Sequence, residues 1–201
     1  MTSDTTRLVD WSDDLQPATI DVLARAFVTN PIHIAAFGVE AVARCNRDFF
    51  LVGLSLFRGR RLVAMDGARV VGFAHWVQSP FCQISAGQRV RLVPAMLRAF
   101  GVRPTLRVAS WLSAWARNDA PGAHWHFGPL GVAPEAQRKG VGRRLMDAYC
   151  AALDRQSAAG FLETDKPENV SFYRKWGFDV TSRADVIGAT TYFMARSAKR
   201  R

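Results

Sequence analysis

The sequence predicts an α+β chain in which helices flank a mixed sheet, and three features carry that expectation. Residues 61–77 read as run, turn, run, with Asp66-Gly67 supplying the positive backbone angles of a tight hairpin. Residues 124–164 read as strand, helix, strand, the order that gives a parallel pair bridged by a helix. Residues 178–186 and 189–196 close the chain as a second strand pair.

The other elements follow in order. Residues 6–11 form a short first strand, and residues 15–28 set Ile20, Leu23, Ala24 and Phe27 at helical spacing until Asn30-Pro31 stops them. Residues 39–57 are helical in content, as one helix or two, with Gly53 as the only breaker. Residues 85–100 put Val90, Val93, Leu97 and Phe100 on one side, and residues 106–115 put Leu112 beside Trp111 and Trp115, so two more helices are expected despite Pro94 and Pro104. Residues 124–132 read as a strand. Residues 140–156 carry Val141, Leu145, Ala148, Tyr149, Ala152 and Leu153 on one helical face, and residues 160–164 are the strand that follows. Residues 168–176 make a short helix that Gly177 caps in the left-handed region. A basic tail, 199–201, ends the chain. No repeat or linker interrupts it, so the expected organisation is a single domain over 1–201 with a helical, arginine-rich insertion at 78–123.

Composition excludes several classes. A chain of 201 residues, 49% hydrophobic and 22% charged, matches globular usage, and at this length roughly 70% of the unfolded surface is buried without staples. The longest apolar run, 49–57, is about half of what a membrane-spanning helix needs. Residues 1–14 hold four acids and no signal-peptide core, which places the protein in the cytoplasm with no membrane partner. Three cysteines, Cys45, Cys82 and Cys150, are odd in number and far apart, so neither a disulfide framework nor a zinc site is suggested, and all three are expected reduced and buried.

Charge is less ordinary. The 27 basic and 17 acidic residues give +10, which favours anionic ligands. Between Asp66 and Asp119 there is no acid, yet Arg69, Arg89, Arg91, Arg98, Arg103, Arg107 and Arg117 all lie there.

The chemistry concentrates in residues 130–145. Here Gln137, Arg138, Lys139, Gly140, Val141, Gly142 and Arg143 join a strand's end to a helix's start. The first amides of a helix lack intrahelical partners and sit at the positive end of its dipole, so a diphosphate accepts several hydrogen bonds there, each contributing about 1.5–3 kcal/mol. Gly140 and Gly142 let the backbone come close; a plain turn with solvated arginines is the bland alternative. Leu145 stands where the dinucleotide fingerprint needs its third glycine, and no glycine-lysine-serine/threonine loop occurs, which sets aside NAD and ATP.

At these residues the chain resembles the GCN5-related N-acetyltransferase (GNAT) superfamily. Residues Gln137 to Gly142 match its acyl-CoA signature of Gln or Arg, two variable residues, Gly, one variable residue, then Gly or Ala. Residues 169–178 are similar to its downstream motif, with Asn169, Tyr173 four residues later, and Gly177-Phe178. His124-Trp125, residues 130–132 and residues 162–164 are also similar to the branch containing puromycin acetyltransferases. The resemblance implies a mostly antiparallel sheet whose fourth and fifth strands splay to admit acetyl-CoA. It implies that the main chain of Leu130, Gly131 and Val132 pairs with the pantetheine arm, that amides from Arg138 to Arg143 hold the pyrophosphate, that Asn169 reaches the pantetheine, and that Tyr173 stands near the sulfur. Acetyl-CoA is then the co-substrate, and no metal is required.

Acetyl transfer to an amine asks for particular groups. An alkylamine of pKa about 10.4 is neutral in roughly one molecule in 2,500 at pH 7, so its deprotonation costs about 4.6 kcal/mol. The developing oxyanion needs a donor, for which a strand amide near Val132 is suited. Tyr173 keeps its proton at neutral pH and can hydrogen-bond the leaving thiolate; packing between helix and sheet is the other reading of this residue. For the base, His126 is the first choice, at the strand position where histone-modifying relatives carry Glu, and a histidine bonded within the sheet is its alternative. Glu163 on the next strand is the second choice, with a salt bridge as its alternative, and ordered water a third. His124 faces the same side as His126; together they suit a metal, but no third ligand is evident. A cysteine relay through Cys150 is disfavoured by its place two turns into the helix.

The arginine-rich insertion reads either as a site for an acidic acceptor or as two helices with solvated basic faces. Trp111 and Trp115 read as core, as lining of an acceptor pocket, or as a homodimer contact. The leading expectation is transfer of an acetyl group from acetyl-CoA to a primary amine of a small molecule by direct attack in a ternary complex. A basic nucleic-acid-binding module, for which no recognised motif exists here, and a non-catalytic CoA-binding sensor are the alternatives.

Overall fold

A computed structural model describes residues 6–56 and 58–199. Arg200 and Arg201 of the basic tail, residues 1–5 ahead of the first strand, Phe57 at the end of the apolar run and the side chains of Ala86 and Arg89 lie outside the described residues.

The chain runs β1 (Thr6–Asp10), α1 (Gln16–Ala26), α2 (Pro31–Phe37), α3 (Val42–Leu54), β2 (Arg60–Asp66), β3 (Arg69–Gln78), α4 (Ala86–Phe100), α5 (Val102–Arg117), β4 (Trp125–Val132), α6 (Val141–Gln156), β5 (Gly160–Thr164), α7 (Pro167–Arg174), β6 (Asp179–Val186) and β7 (Ala189–Arg196). The strands form one sheet in the order β1-β2-β3-β4-β5-β7-β6. Every neighbouring pair is antiparallel except β4 with β5, so the sheet is mixed and mostly antiparallel as expected.

Two glycines set the layers. A Cβ on Gly72 of β3 would lie 2.8 Å from Val141 on α6, and one on Gly131 of β4 would lie 2.6 Å from Leu23 on α1. Gly72 pairs with Val132, so Gly131 points to the opposite face by the two-residue period of a strand. Helices α1 and α6 therefore cover opposite faces of the sheet, close enough that both positions exclude a side chain. The main core, with Leu23, Phe73, Leu145, Tyr149 and Phe178, lies on both sides of these central strands.

A second core joins α2, α3, α4 and α5 to the β6–β7 turn through Phe37, Cys45, Phe100, Val108, Trp111 and Val186. His33 sits among its rings and donates from Nδ1 to Asn46 Oδ1 at 2.7 Å, and burial holds its pKa down at about 4.

Three local expectations change. Asn30-Pro31 stops α1 but also starts α2: the Asn30 side chain accepts from the amides of Ile32 and His33, and Pro31 takes the first helical position. On α4, which Ser85 and Gln88 open with a capping box, Val90 is 71% exposed and Val93 and Leu97 are also exposed, while Met96 and Phe100 are buried. Packing on α3 and α5 turns the helix away from the stripe its spacing suggests. Cys45 and Cys150 are buried and reduced, but Cys82 is only half-buried, because it lies in the loop between β3 and α4. No helix among the described residues is long and apolar enough to cross a membrane.

Candidate active site

Strands β4 and β5 pair only at Trp125–Gly160, His126–Phe161 and Phe127–Leu162, and from Gly128 onward β4 has no partner on that side. The register of β3 against β4 shifts between Ala74 and Trp76, opposite Gly128-Pro129, where the His75 ring bridges the carbonyls of Gly128 and Arg58. Farther on, Ala133 donates its amide to Val71 on β3 at 2.9 Å. Alternation along the strand then turns the amide of Gly131 toward β3 and those of Leu130 and Val132 toward the open gap.

The loop that follows bends on itself. Arg138 and Gly140 both have positive φ, 61° and 87°, and Gly140 is the N-cap of α6 with no side-chain cap bond. The first amides of this 16-residue helix are thus left for an anion. Gln137, Arg138, Lys139 and Arg143 are exposed around them, and the Gln137 amide donates to the Val132 carbonyl at 3.1 Å. Across the gap, Asn169 donates to Thr164 Oγ1 at 3.1 Å, and Tyr173 lies one turn along α7, buried. An unpaired strand edge, an uncapped helix start and an Asn–Tyr pair facing them fit a long thioester carrier with a diphosphate.

The gap opens into a cavity of about 770 Å³ that runs from Asn169 and Tyr173 past His126 and Glu163 to Phe49 and Trp111. At its floor His126 Nε2 lies 2.9 Å from Glu163 Oε2, with the Glu163 side chain 2% exposed. The other oxygen, Glu163 Oε1, and the other ring nitrogen, His126 Nδ1, are buried without a hydrogen-bond partner. Next to it, Asp165 accepts from Thr191 at 2.6 Å, and burial raises its carboxyl to about 6. Burial raises the Tyr173 phenol, and the charges of Asp165 and Glu163 add to this, so it keeps its proton.

Asp119 and Cys82, which no short spacing in the sequence connects to His126, lie beside it. Asp119 Oδ1 is 3.1 Å from His124 Nε2 and 3.6 Å from His126 Nδ1. Cys82 Sγ is 3.5 Å from Asp119 Oδ2 and 3.9 Å from His124 Nε2. Burial opposes charge on both rings, yet hydrogen bonds to Asp119 and Cys82 carry His124 up to about 9, and Glu163 and Asp119 hold His126 well above its ordinary value. The two histidines do face the same side, but the expectation that no third ligand joins them fails. Cys150 packs in the main core and does not line this cavity, and burial pushes its thiol up to about 11, which suits packing.

The Acetyltransferase (GNAT) domain family matches residues 58–180, more than half of the chain. The Corynebacterium glutamicum structure described as histone acetyltransferase HPA2 and related acetyltransferase superposes with a TM-score of 0.74 at 18% identity, covering 98% of each chain. A GNAT family acetyltransferase from Brucella melitensis, solved with acetyl-CoA, superposes at 0.54 with 14% identity over 97% of this chain and 89% of that one. A variant of agmatine N-acetyltransferase superposes at 0.65 with 11% identity over 96% of this chain and 100% of that one. With the family match spanning the splayed strands, the loop before α6 and the Asn–Tyr helix, the chain belongs to the GNAT acetyltransferase family and is an acetyl-CoA-dependent N-acetyltransferase.

Proposed function

We propose that the acetyl group passes from acetyl-CoA directly to a primary amine of a small molecule, with both substrates bound together. Glu163 Oε1 carries the reading: a carboxylate oxygen buried without a partner at the floor of a cavity is costly to hold and is relieved by an incoming N–H donor. His126 Nε2 is engaged by Glu163 Oε2, and its Nδ1 faces Asp119. Of the two base candidates, Glu163 therefore offers the free lone pair to the acceptor amine, and His126 orients it. Acetyl-CoA supplies the activated acyl group. Leu130 and Val132 hold its arm through the main chain, while Gly131, expected to share in this, pairs with Phe73 on β3; Gln137 to Arg143 receive the diphosphate, and Asn169 orients the pantetheine. The Val132 amide meets the charge that develops on the carbonyl oxygen, and Tyr173 donates to the departing sulfur.

The upper cavity suits an amine with an apolar or aromatic body. Phe49, Trp111 and Trp115 line it, and the indole nitrogens of both tryptophans are buried without partners, ready for a polar substituent. A cavity of this size beside the thioester also speaks against a CoA sensor without an acceptor site, and a small amine accords with the likeness to agmatine N-acetyltransferase. The test is thiol release from acetyl-CoA across a panel of arylalkyl and polyamine acceptors, with peptide N-termini as the comparison set. Acetylated product from the small amines, detected by the mass of one added acetyl group, is expected. Turnover on peptides alone overturns the proposal.

A further inference from the structure

We propose that Cys82, Asp119, His124 and His126 form a closed site for one divalent transition metal, zinc by its donor set, that ties both ends of the α4–α5 excursion to β4. The four donor atoms lie within 4.8 Å of one another. Tetrahedral zinc with bonds of about 2.0–2.3 Å spaces its ligands by roughly 3.3–3.6 Å. Asp119 Oδ1 lies 3.1 and 3.6 Å from the two histidine nitrogens and Cys82 Sγ 3.9 Å from His124 Nε2, within a few tenths of an ångström of that spacing, and small side-chain shifts draw the rest of the set together around an ion.

The surroundings prepare each donor. His124 donates its Nδ1–H to the Gly122 carbonyl at 3.0 Å, so Nε2, which faces Asp119 and Cys82, is the nitrogen that exchanges its proton for the ion. His126 donates an Nε2–H hydrogen bond to Glu163, so Nδ1, buried and 3.6 Å from Asp119 Oδ1, is the nitrogen that exchanges its proton for the ion. A ring whose far nitrogen donates to a carboxylate or carbonyl is the usual support of a metal-bound histidine. Gln83 donates to Asp119 Oδ2 at 2.5 Å and the Ala120 amide to Oδ1 at 3.0 Å, so the carboxylate is held as well. One thiolate and one carboxylate neutralise a divalent ion, which removes the cost of burying its charge. Sulfur and imidazole donors favour zinc over magnesium or calcium, whose ligands are oxygen.

Cys82 and Asp119 stand 37 residues apart, at the two ends of the segment carrying α4 and α5. A shared ion fixes the loop after β3, whose Pro80, Phe81 and Gln83 line the acceptor cavity. Four protein ligands leave no open position, so the ion is structural, and it shapes the acceptor wall without touching the reacting atoms. Binding of the ion does not depend on the acetyl-transfer assignment.

The test uses the full chain without a histidine tag, stripped of metal and titrated with cobalt(II). One equivalent is expected to bind with the d–d bands of a tetrahedral ion and a thiolate charge-transfer band, both bleached by zinc. In Cys82→Ser the charge-transfer band disappears. Asp119→Asn, which keeps the side chain's shape, weakens binding roughly tenfold or more, and zinc raises the melting temperature of the unaltered chain by roughly 5–10 °C. Failure to bind stoichiometric cobalt or zinc at micromolar free metal overturns the proposal, as does a charge-transfer band that survives in Cys82→Ser.

Discussion

The two sides of the cleft are built differently. From β4 through α7, the groups that fit the cofactor are mostly main chain: the free amides of Leu130 and Val132 and the uncapped start of α6 after Gly140. The side proposed to take the acceptor consists of side chains brought from separate segments: Cys82 before α4, Asp119 after α5, His124 and His126 on or beside β4, Glu163 on β5 and Trp111 on α5. Main-chain recognition tolerates most side-chain changes but not changes of backbone path. Side-chain recognition has the opposite sensitivity, and substitutions separate the two.

The largest effect belongs to Glu163→Gln. It preserves shape but removes the buried proton acceptor, so kcat/KM for the amine falls by about 10²- to 10⁴-fold, while the affinity for acetyl-CoA, measured by calorimetry, stays within error. Comparable losses in both quantities would mean that the two sides are not independent. Tyr173→Phe comes next, because Tyr173 stands where they meet. Losing one hydrogen bond to a charged sulfur, about 1.5–3 kcal/mol, lowers kcat roughly 10- to 150-fold and leaves both KM values nearly unchanged. A rise in the amine KM with constant kcat would assign the phenol to packing instead.

The same contrast decides what the sequence could show. Residues 137–142 and 169–178 are contiguous, so their spacing announces both an uncapped helix start suited to an anion and the family, and Asp66-Gly67 announces its hairpin because the turn's chemistry is local. Cys82 and Asp119 meet His124 only after two helices have folded between them, and no spacing in the chain encodes that meeting; the His-x-His alternation on the strand was half of the signal. Helix α2 was hidden for another reason: Asn30-Pro31 terminates one helix by the same geometry that begins the next. The apolar stripe of Val90, Val93 and Leu97 has proper helical period yet faces out, since period sets which residues share a face and tertiary packing sets where that face points.

The smallest effects, and the most direct test of main-chain recognition, come from the two glycines at the start of α6. Gly140 has φ near 87°, and a side chain in the left-handed region costs about 1–2 kcal/mol, so Gly140→Ala lowers the melting temperature by roughly 2–8 °C. It also weakens acetyl-CoA binding, because the alternative is to move the amides that meet the diphosphate. Gly142 has an ordinary helical backbone, and a Cβ there would stand 3.7 Å from Phe172 and Val132, in normal contact. Gly142→Ala should therefore raise stability by about 0.5–1 kcal/mol through helix propensity and leave cofactor affinity intact. Opposite signs at positions two residues apart follow only if backbone path, rather than free space, is what the loop requires; equal losses at both would mean that the diphosphate needs the room a missing side chain leaves.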